Sequence, residues 1–203
     1  DLHEQFDARP TGLVGRNGVG KTVLAQILAG LLQPTAGECQ RSNSVHYLAQ
    51  QVAQPKGASV ADLAGIQPTL DALARIEAGS TAIEDFEAVD ERWDLPQRFR
   101  HELERGGLGY LEATTPASTL SGGEAMRVAL MGAMLSNADF LILDEPSNHL
   151  DRPNRQALIE QLQRWPRGLI VISHDRQLLE AMARIVELSP SGLHSYGGNY
   201  TFY

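Results

Sequence analysis

The chain is poor in cysteine, in basic residues and in long apolar runs, and each shortage excludes a class of protein. Cys39 is the one cysteine, so no disulfide can form within the chain. A single thiol suits a reducing compartment, and its plainest role is that of a small buried apolar side chain. Lysine and arginine number 17 against 25 aspartates and glutamates, a formal net charge of −8. A free-standing nucleic-acid binder would carry a basic patch, so that class is excluded; contact with an RNA-protein particle through a limited surface is not. The apolar runs, such as Leu169-Ile170-Val171-Ile172, are far too short to span a bilayer. No basic stretch followed by an apolar one opens the sequence, so no secretory leader is expected. The expectation is a soluble cytoplasmic domain without membrane insertion. At 203 residues and 42% hydrophobic, it can bury a full core and carry an attached lobe.

What is present is an alternation of strand and helix. Residues 12–15 read as a short strand feeding a glycine-rich loop, with a weaker strand at 2–6 before it. After the loop, Val23, Leu24, Ile27, Leu28, Leu31 and Leu32 fall on one helical face, and Pro34 with Gly37 ends that helix. Residues 38–41 and 45–48 read as strands, the second running into Gln50. Between Pro55 and Pro116 the texture is charged and helical. Leu70, Leu73 and Ile76 mark one helix there, Ile83, Phe86 and Val89 a second, and 95–103 a third with Pro96 in its first turn. Trp93 reads as core. After Glu124 the alternation returns: a helix to about residue 135, a strand at 140–143, a helix at 153–165, a buried strand at 168–172, a helix at 177–183, then closing strands at 185–188 and 193–196. Such alternation means a mostly parallel sheet covered on both faces. The expected architecture is α/β, with a core of 1–54 and 117–203 and an inserted helical subdomain of about 55–116.

Three stretches carry chemistry. Gly15-Arg16-Asn17-Gly18-Val19-Gly20-Lys21-Thr22 is a complete phosphate-cradling loop set between a strand and a helix. Its glycines let successive N–H groups face phosphate oxygens, Lys21 can reach the β- and γ-phosphates, and the Thr22 hydroxyl can ligate Mg²⁺. Leu141-Ile142-Leu143-Asp144-Glu145 ends an apolar strand in two carboxylates. Asp144 can hold the Mg²⁺ shell and Glu145 can orient an attacking water; without the loop, the pair would read as strand-end caps. His174 leaves a buried strand end, where open α/β sheets bind ligands, and could donate to the γ-phosphate, although a lone histidine is usually structural. Gln50 also leaves a strand end and could touch Mg²⁺ or the water, or stand simply on the surface. Leu120-Ser121-Gly122-Gly123-Glu124 opens a helix and makes a second anion site. One nucleotide needs only one such site, so the second requires an explanation.

These stations, in this order, resemble the ATP-binding cassette (ABC) ATPases of the P-loop NTPase class, and the likeness covers nearly the whole chain. Gly15 to Thr22 matches the Walker A loop, Gln50 the Q-loop, and Leu120 to Glu124 the family signature. Leu141 to Glu145 resembles Walker B, Ser147-Asn148-His149-Leu150-Asp151 the D-loop, and His174 the switch histidine. The resemblance implies ATP held by Asn17, Gly18, Val19, Gly20, Lys21, Thr22 and Gln50, and Mg²⁺ at Thr22, Gln50 and Asp144. It makes Glu145 and His174 catalytic. It also accounts for the second anion site: two cassettes pair head to tail, so Ser121, Gly122 and Gly123 would close in trans over the partner's nucleotide.

The D-loop spelling, Ser173-His174-Asp175-Arg176 and the tail Tyr196-Gly197-Gly198-Asn199-Tyr200 are similar to the ABC-F branch. That branch carries two cassettes in one chain and no membrane domain, and many members act on ribosomes. The resemblance therefore implies a second cassette and a ribosome or RNA-protein particle as partners. Against the family pattern, the adenine-stacking aromatic region, the interdomain linker and the second cassette are expected to lie outside this sequence. Phe6 is too close to Gly15 to stack on adenine and reads as core. Glu124 replaces the commoner glutamine. Two other functions stay open: the cytosolic ATPase subunit of a transporter, and a nucleotide-gated binding module with little turnover.

Overall fold

The computed structural model describes residues 3–41, 44–148 and 150–203. The chain divides into two compact units, Asp1–Gln50 with Asn137–Tyr203, and Gln51–Ser136.

The first unit is a six-stranded sheet in the order β2-β3-β4-β1-β5-β6. Its strands are β1 (Thr11–Val14), β2 (Val45–Leu48), β3 (Phe140–Asp144), β4 (Gly168–Ile172), β5 (Arg184–Ser189) and β6 (Gly192–Gly197). Every pairing is parallel except β5 with β6. The central strands are unbroken apolar runs because both their faces are covered: all of β1 and β4 is buried. Helices α1 (Lys21–Leu28), α7 (Arg152–Gln163) and α8 (Arg176–Glu180) complete the unit. Leu13, Ala25, Ile142, Ile170, Ile172, Val186 and Leu188 form its core, with Phe6 and Val19 packed against them. Asp151 caps α7 by accepting from the Asn154 N–H at 2.9 Å, and Asp175 caps α8 by accepting from Gln177 N–H at 3.0 Å.

Several expectations change here. Helix α1 stops six residues before Pro34, because the backbone turns left-handed at Gly30 (φ 81°). Leu31 N–H then bonds to the Gln26 carbonyl and Gly30 N–H to that of Ile27, the paired bonds of a Schellman stop. Leu31 and Leu32, past the stop, are exposed, as is Val23 beside the loop, and Lys21 and Ala25 are the buried positions of the helix. Residues 38–41 form no strand: Cys39 is half-buried between exposed neighbours, so the segment has no face to bury. Of the strand expected at 2–6, Leu2 lies outside the described residues and 3–6 is not a strand. Buried Arg184 ties that segment down instead. It donates to Glu4 Oε1 (3.0 Å) and the Gln5 carbonyl (3.1 Å), with its guanidinium 5.5 Å from the centre of the Phe6 ring.

The second unit is helical: α2 (Val60–Leu63), α3 (Gln67–Glu77), α4 (Ile83–Val89), α5 (Leu95–Arg105) and α6 (Gly122–Leu135). It extends beyond the lobe read at 55–116 because α6 packs on α5 and α2. At the α6–α2 crossing, a side chain on Gly132 would meet the Ala64 carbonyl oxygen at 1.9 Å, so the two backbones touch directly. Val60, Ile66, Leu95, Phe99, Leu103, Leu120, Val128 and Leu135 belong to the core of this unit. Pro68 and Pro96 sit in the first turns of α3 and α5, where a missing N–H costs nothing. Trp93 is not core; it stands half in solvent.

Candidate active site

In the first unit, four neighbouring parallel strands deliver functional groups at their carboxyl ends. Gln50 follows β2, Asp144 and Glu145 close β3, His174 follows β4, and the glycine-rich loop follows β1. This is where an open α/β sheet binds its ligand. The groups meet in one cavity of about 400 Å³, lined by Asn17, Gly18, Gly20, Lys21, Thr22, Gln50, Asp144, Glu145 and His174 with Val23 and Ile172.

The loop is shaped before any ligand arrives. Lys21 is buried, and its Nζ donates to the carbonyls of Gly15 (2.8 Å) and Arg16 (3.1 Å). That places a cation within the loop that lines the cavity. Val19 turns its side chain inward. Its N–H bonds to the Arg16 carbonyl at 3.3 Å and its side chain packs on the core, outside the cavity lining.

Asp144 is 1% exposed, and its Oδ2 accepts from the Thr22 hydroxyl at 2.7 Å and from Tyr47 at 3.3 Å. Burial and the Asp144 charge push the Tyr47 hydroxyl up to about 12, so it stays a donor. Tyr47 was not singled out from sequence. It is the second-last residue of β2, three before Gln50, and nothing in the local sequence marks its bond to Asp144. Glu145 takes a left-handed backbone (φ 49°), rare for a residue with a side chain, and its N–H bonds to the Ile172 carbonyl at 2.8 Å. Burial raises the Glu145 carboxyl above the usual range, against the lowering pull of His174. His174 Nε2 lies 3.6 Å from Glu145 Oε1.

Thr22 and Asp144 thus present hard oxygens 2.7 Å apart, and Gln50 adds a third in the same cavity. Among the described residues no group of three or more His, Cys, Asp or Glu side chains could enclose a metal. The donor set fits Mg²⁺, which takes one or two protein ligands and fills its shell with phosphate and water.

Ser121, Gly122 and Gly123 are in the second unit, at the start of α6. Ser121 and Glu124 form a capping box: Ser121 N–H and hydroxyl each donate to Glu124 Oε2 at 2.7 Å, and Glu124 N–H donates to Ser121 Oγ at 3.3 Å. Tyr110 donates to the other carboxylate oxygen. Tyr110 first and Ser121 second hold the Glu124 carboxyl down at about 2, so it is an anion at neutral pH. Its share of stability is therefore present above the ordinary glutamate value and lost as pH falls towards 2. Tyr110→Phe is expected to move the Glu124 titration upward, read by carboxyl carbon NMR. An unmoved titration would leave the capping box alone responsible. In the D-loop stretch, His149 lies outside the described residues.

Comparison with known proteins agrees with this geometry. The family model described as ABC transporter matches residues 7–148. The chain is 31% identical over 212 residues to the energy-dependent translational throttle protein EttA of Mycobacterium tuberculosis, covering 95% of this chain and 38% of that protein. It is 31% identical over 193 residues to the ribosome protection protein VmlR of Bacillus subtilis, covering 95% of this chain and 28% of VmlR. The chain thus spans about a third of the length of the curated relatives it matches. Among solved structures, the dimeric post-hydrolysis ATP-binding cassette MJ0796 superposes with a TM-score of 0.73 at 17% identity, over 97% of this chain and 89% of that one. The phosphate loop, the paired carboxylates and the signature turn lie within or beside the matched span, and the chain belongs to the ABC family of ATP-binding cassette ATPases.

Proposed function

We propose that this chain is one cassette of a soluble cytoplasmic ATPase of the ABC-F kind, in which two cassettes close head to tail on ATP and act on ribosomes. The observation that carries the reading is the single cavity where Lys21, Thr22, Gln50, Asp144, Glu145 and His174 converge. EttA and VmlR support the ribosome as target, and the dimeric MJ0796 cassette supports pairing.

The chemistry follows from the residues. Loop N–H groups and Lys21 bind the phosphates; Lys21 exchanges its loop carbonyls for phosphate oxygens. Thr22, Gln50 and Asp144 would hold Mg²⁺, which when bound neutralises charge building on the β- and γ-phosphate oxygens. Glu145, desolvated and ready to accept a proton, orients the attacking water. His174 donates to the γ-phosphate. Ser121, Gly122 and Gly123 supply N–H groups and a hydroxyl to the γ-phosphate on the other cassette. Ser121 must first turn its hydroxyl away from Glu124, so closure exchanges one hydrogen bond for another.

ATP turnover by the full-length protein, measured with and without ribosomes, tests the reading. Stimulation by ribosomes is expected. Turnover unaffected by ribosomes would remove them as the target. Ser121→Ala in the full-length protein should lower turnover by about a hundredfold, since one donor to developing charge is lost. It should leave ATP affinity of the isolated chain unchanged, because Ser121 acts on the other nucleotide. Weaker ATP binding by the isolated variant would instead place Ser121 in its own chain's site.

A further inference from the structure

Helix α4 buries a carboxylate and exposes two of its apolar side chains, Ile83 and Phe86. Asp85 and Val89 are buried, and α4 packs on α3. Ile83 is 67% exposed, Phe86 41%, and Trp93, just past the helix, 51%. The Phe86 and Trp93 rings lie 6.1 Å apart at 57°, so the three side chains make a patch with an aromatic pair in it. An amphipathic helix free to rotate would turn Ile83 and Phe86 inward.

Asp85 prevents that rotation. Its Oδ1 accepts from Arg75 Nε at 2.8 Å and forms an ion pair with Arg75 Nη2 at 2.7 Å, and its Oδ2 accepts from the Ser80 hydroxyl at 2.6 Å. Rolling the helix would break both hydrogen bonds and the ion pair with Arg75. The apolar patch is therefore held outward by a built contact. Its surroundings are acidic: Glu84, Glu87, Glu91 and Asp94 are exposed, and residues 83–94 hold six carboxylates and one arginine. Arg98 stands 3.8 Å from Asp94, a weak exposed pair that leaves the field of the other three glutamates intact.

We propose that this face of the second unit docks a basic protein segment bearing aliphatic or aromatic side chains. Apolar side chains of the partner cover Ile83, Phe86 and Trp93, while its lysines and arginines meet Glu84, Glu87 and Glu91. An arginine can in addition stack on the exposed face of Trp93. The same carboxylates repel a nucleic-acid backbone, and they repel a second copy of this surface. The inference does not depend on the nucleotide site.

Calorimetry on the whole 203-residue chain tests it, with a synthetic peptide of arginines and leucines at helical spacing as the probe. Phe86→Ser with Trp93→Ser should weaken binding at least about tenfold, as loss of a central aromatic anchor does. Glu84→Gln, Glu87→Gln and Glu91→Gln together should weaken it severalfold and remove most of its salt dependence. All five positions are exposed, so circular dichroism melts should match the parent chain. A peptide with glutamate for every arginine should not bind. Equal binding by the parent and the Phe86/Trp93 variant would overturn the proposal. So would tighter binding of poly(U) RNA than of the peptide, or self-association in sedimentation that the Phe86/Trp93 variant abolishes.

Discussion

Glu145→Gln in the full-length protein should slow ATP turnover by about 10²–10⁴-fold while ATP binding persists. The base that orients water is removed, and general-base assistance of this kind is worth about 10²–10⁴ in rate. The amide keeps the size of the side chain and its place between His174 and the β3 end, so the phosphate cradle formed by Lys21 and Thr22 is untouched. The pH profile gives a second reading of the same residue. Burial raises the Glu145 carboxyl above the ordinary glutamate value, so turnover should fall on the acid side at a higher pH than a solvated glutamate would give. Residual turnover in the glutamine variant should lack that limb.

Stability follows from the same shift. A carboxyl whose folded value is raised favours the fold while neutral, fully so below its unfolded value, and that contribution is lost as pH rises through the folded value. The neutral amide should therefore melt no lower than the parent, and its stability should lose that pH dependence. Undiminished turnover in the variant would remove Glu145 from the water-orienting role. Lost ATP binding would show instead that its charge shapes the cradle.

The site was legible in the sequence where chemistry and chain order coincide. A loop of glycines with Lys21 and Thr22, two carboxylates after an apolar strand, and a histidine after another point to strand ends, and parallel pairing brings those ends together. Tyr47 and Tyr110 were not legible. Each acts through a hydrogen bond to a residue distant in sequence, Asp144 and Glu124, and periodicity carries no sign of such bonds. The second unit was legible as helices but not as packing. Ile83, Phe86 and Val89 share a helical repeat, yet Ile83 and Phe86 face out while Asp85 faces in, held there by two hydrogen bonds and the ion pair with Arg75. Trp93 lies beyond the end of α4, after the backbone turns left-handed at Asp90 (φ 50°). The end of α1 was misplaced because Gly30, not Pro34, stops it.

Gly15→Ala should disable the phosphate loop more severely than any other single methyl added to it. At Gly15 φ is +148°, and a Cβ would sit 2.4 Å from the carbonyl oxygen of Leu188. No rotamer relieves that contact, because the obstacle is backbone. Leu188 cannot retreat: it pairs with Leu193 on β6, and its neighbours Val186 and Glu187 pair with Leu13 and Val14 on β1. The loop must move instead, and with it go the Gly15 and Arg16 carbonyls that hold Lys21. Backbone strain and the clash together should cost about 2–4 kcal/mol, and ATP affinity should fall by about a hundredfold or more. Gly18→Ala is the control. Its Cβ would meet nothing within 4 Å, so φ of +78° alone penalises it, by about 1 kcal/mol. Urea unfolding followed through Trp165, in a chain carrying Trp93→Phe, reads the first unit, and equilibrium dialysis reads ATP. Gly15→Ala with parental stability and affinity would mean that the Leu188 carbonyl does not set the loop. Equal losses at Gly15 and Gly18 would assign the effect to glycine conformation alone. A large loss confined to Gly15 ties the shape of the nucleotide cradle to β5, a strand that contributes no side chain to the cavity.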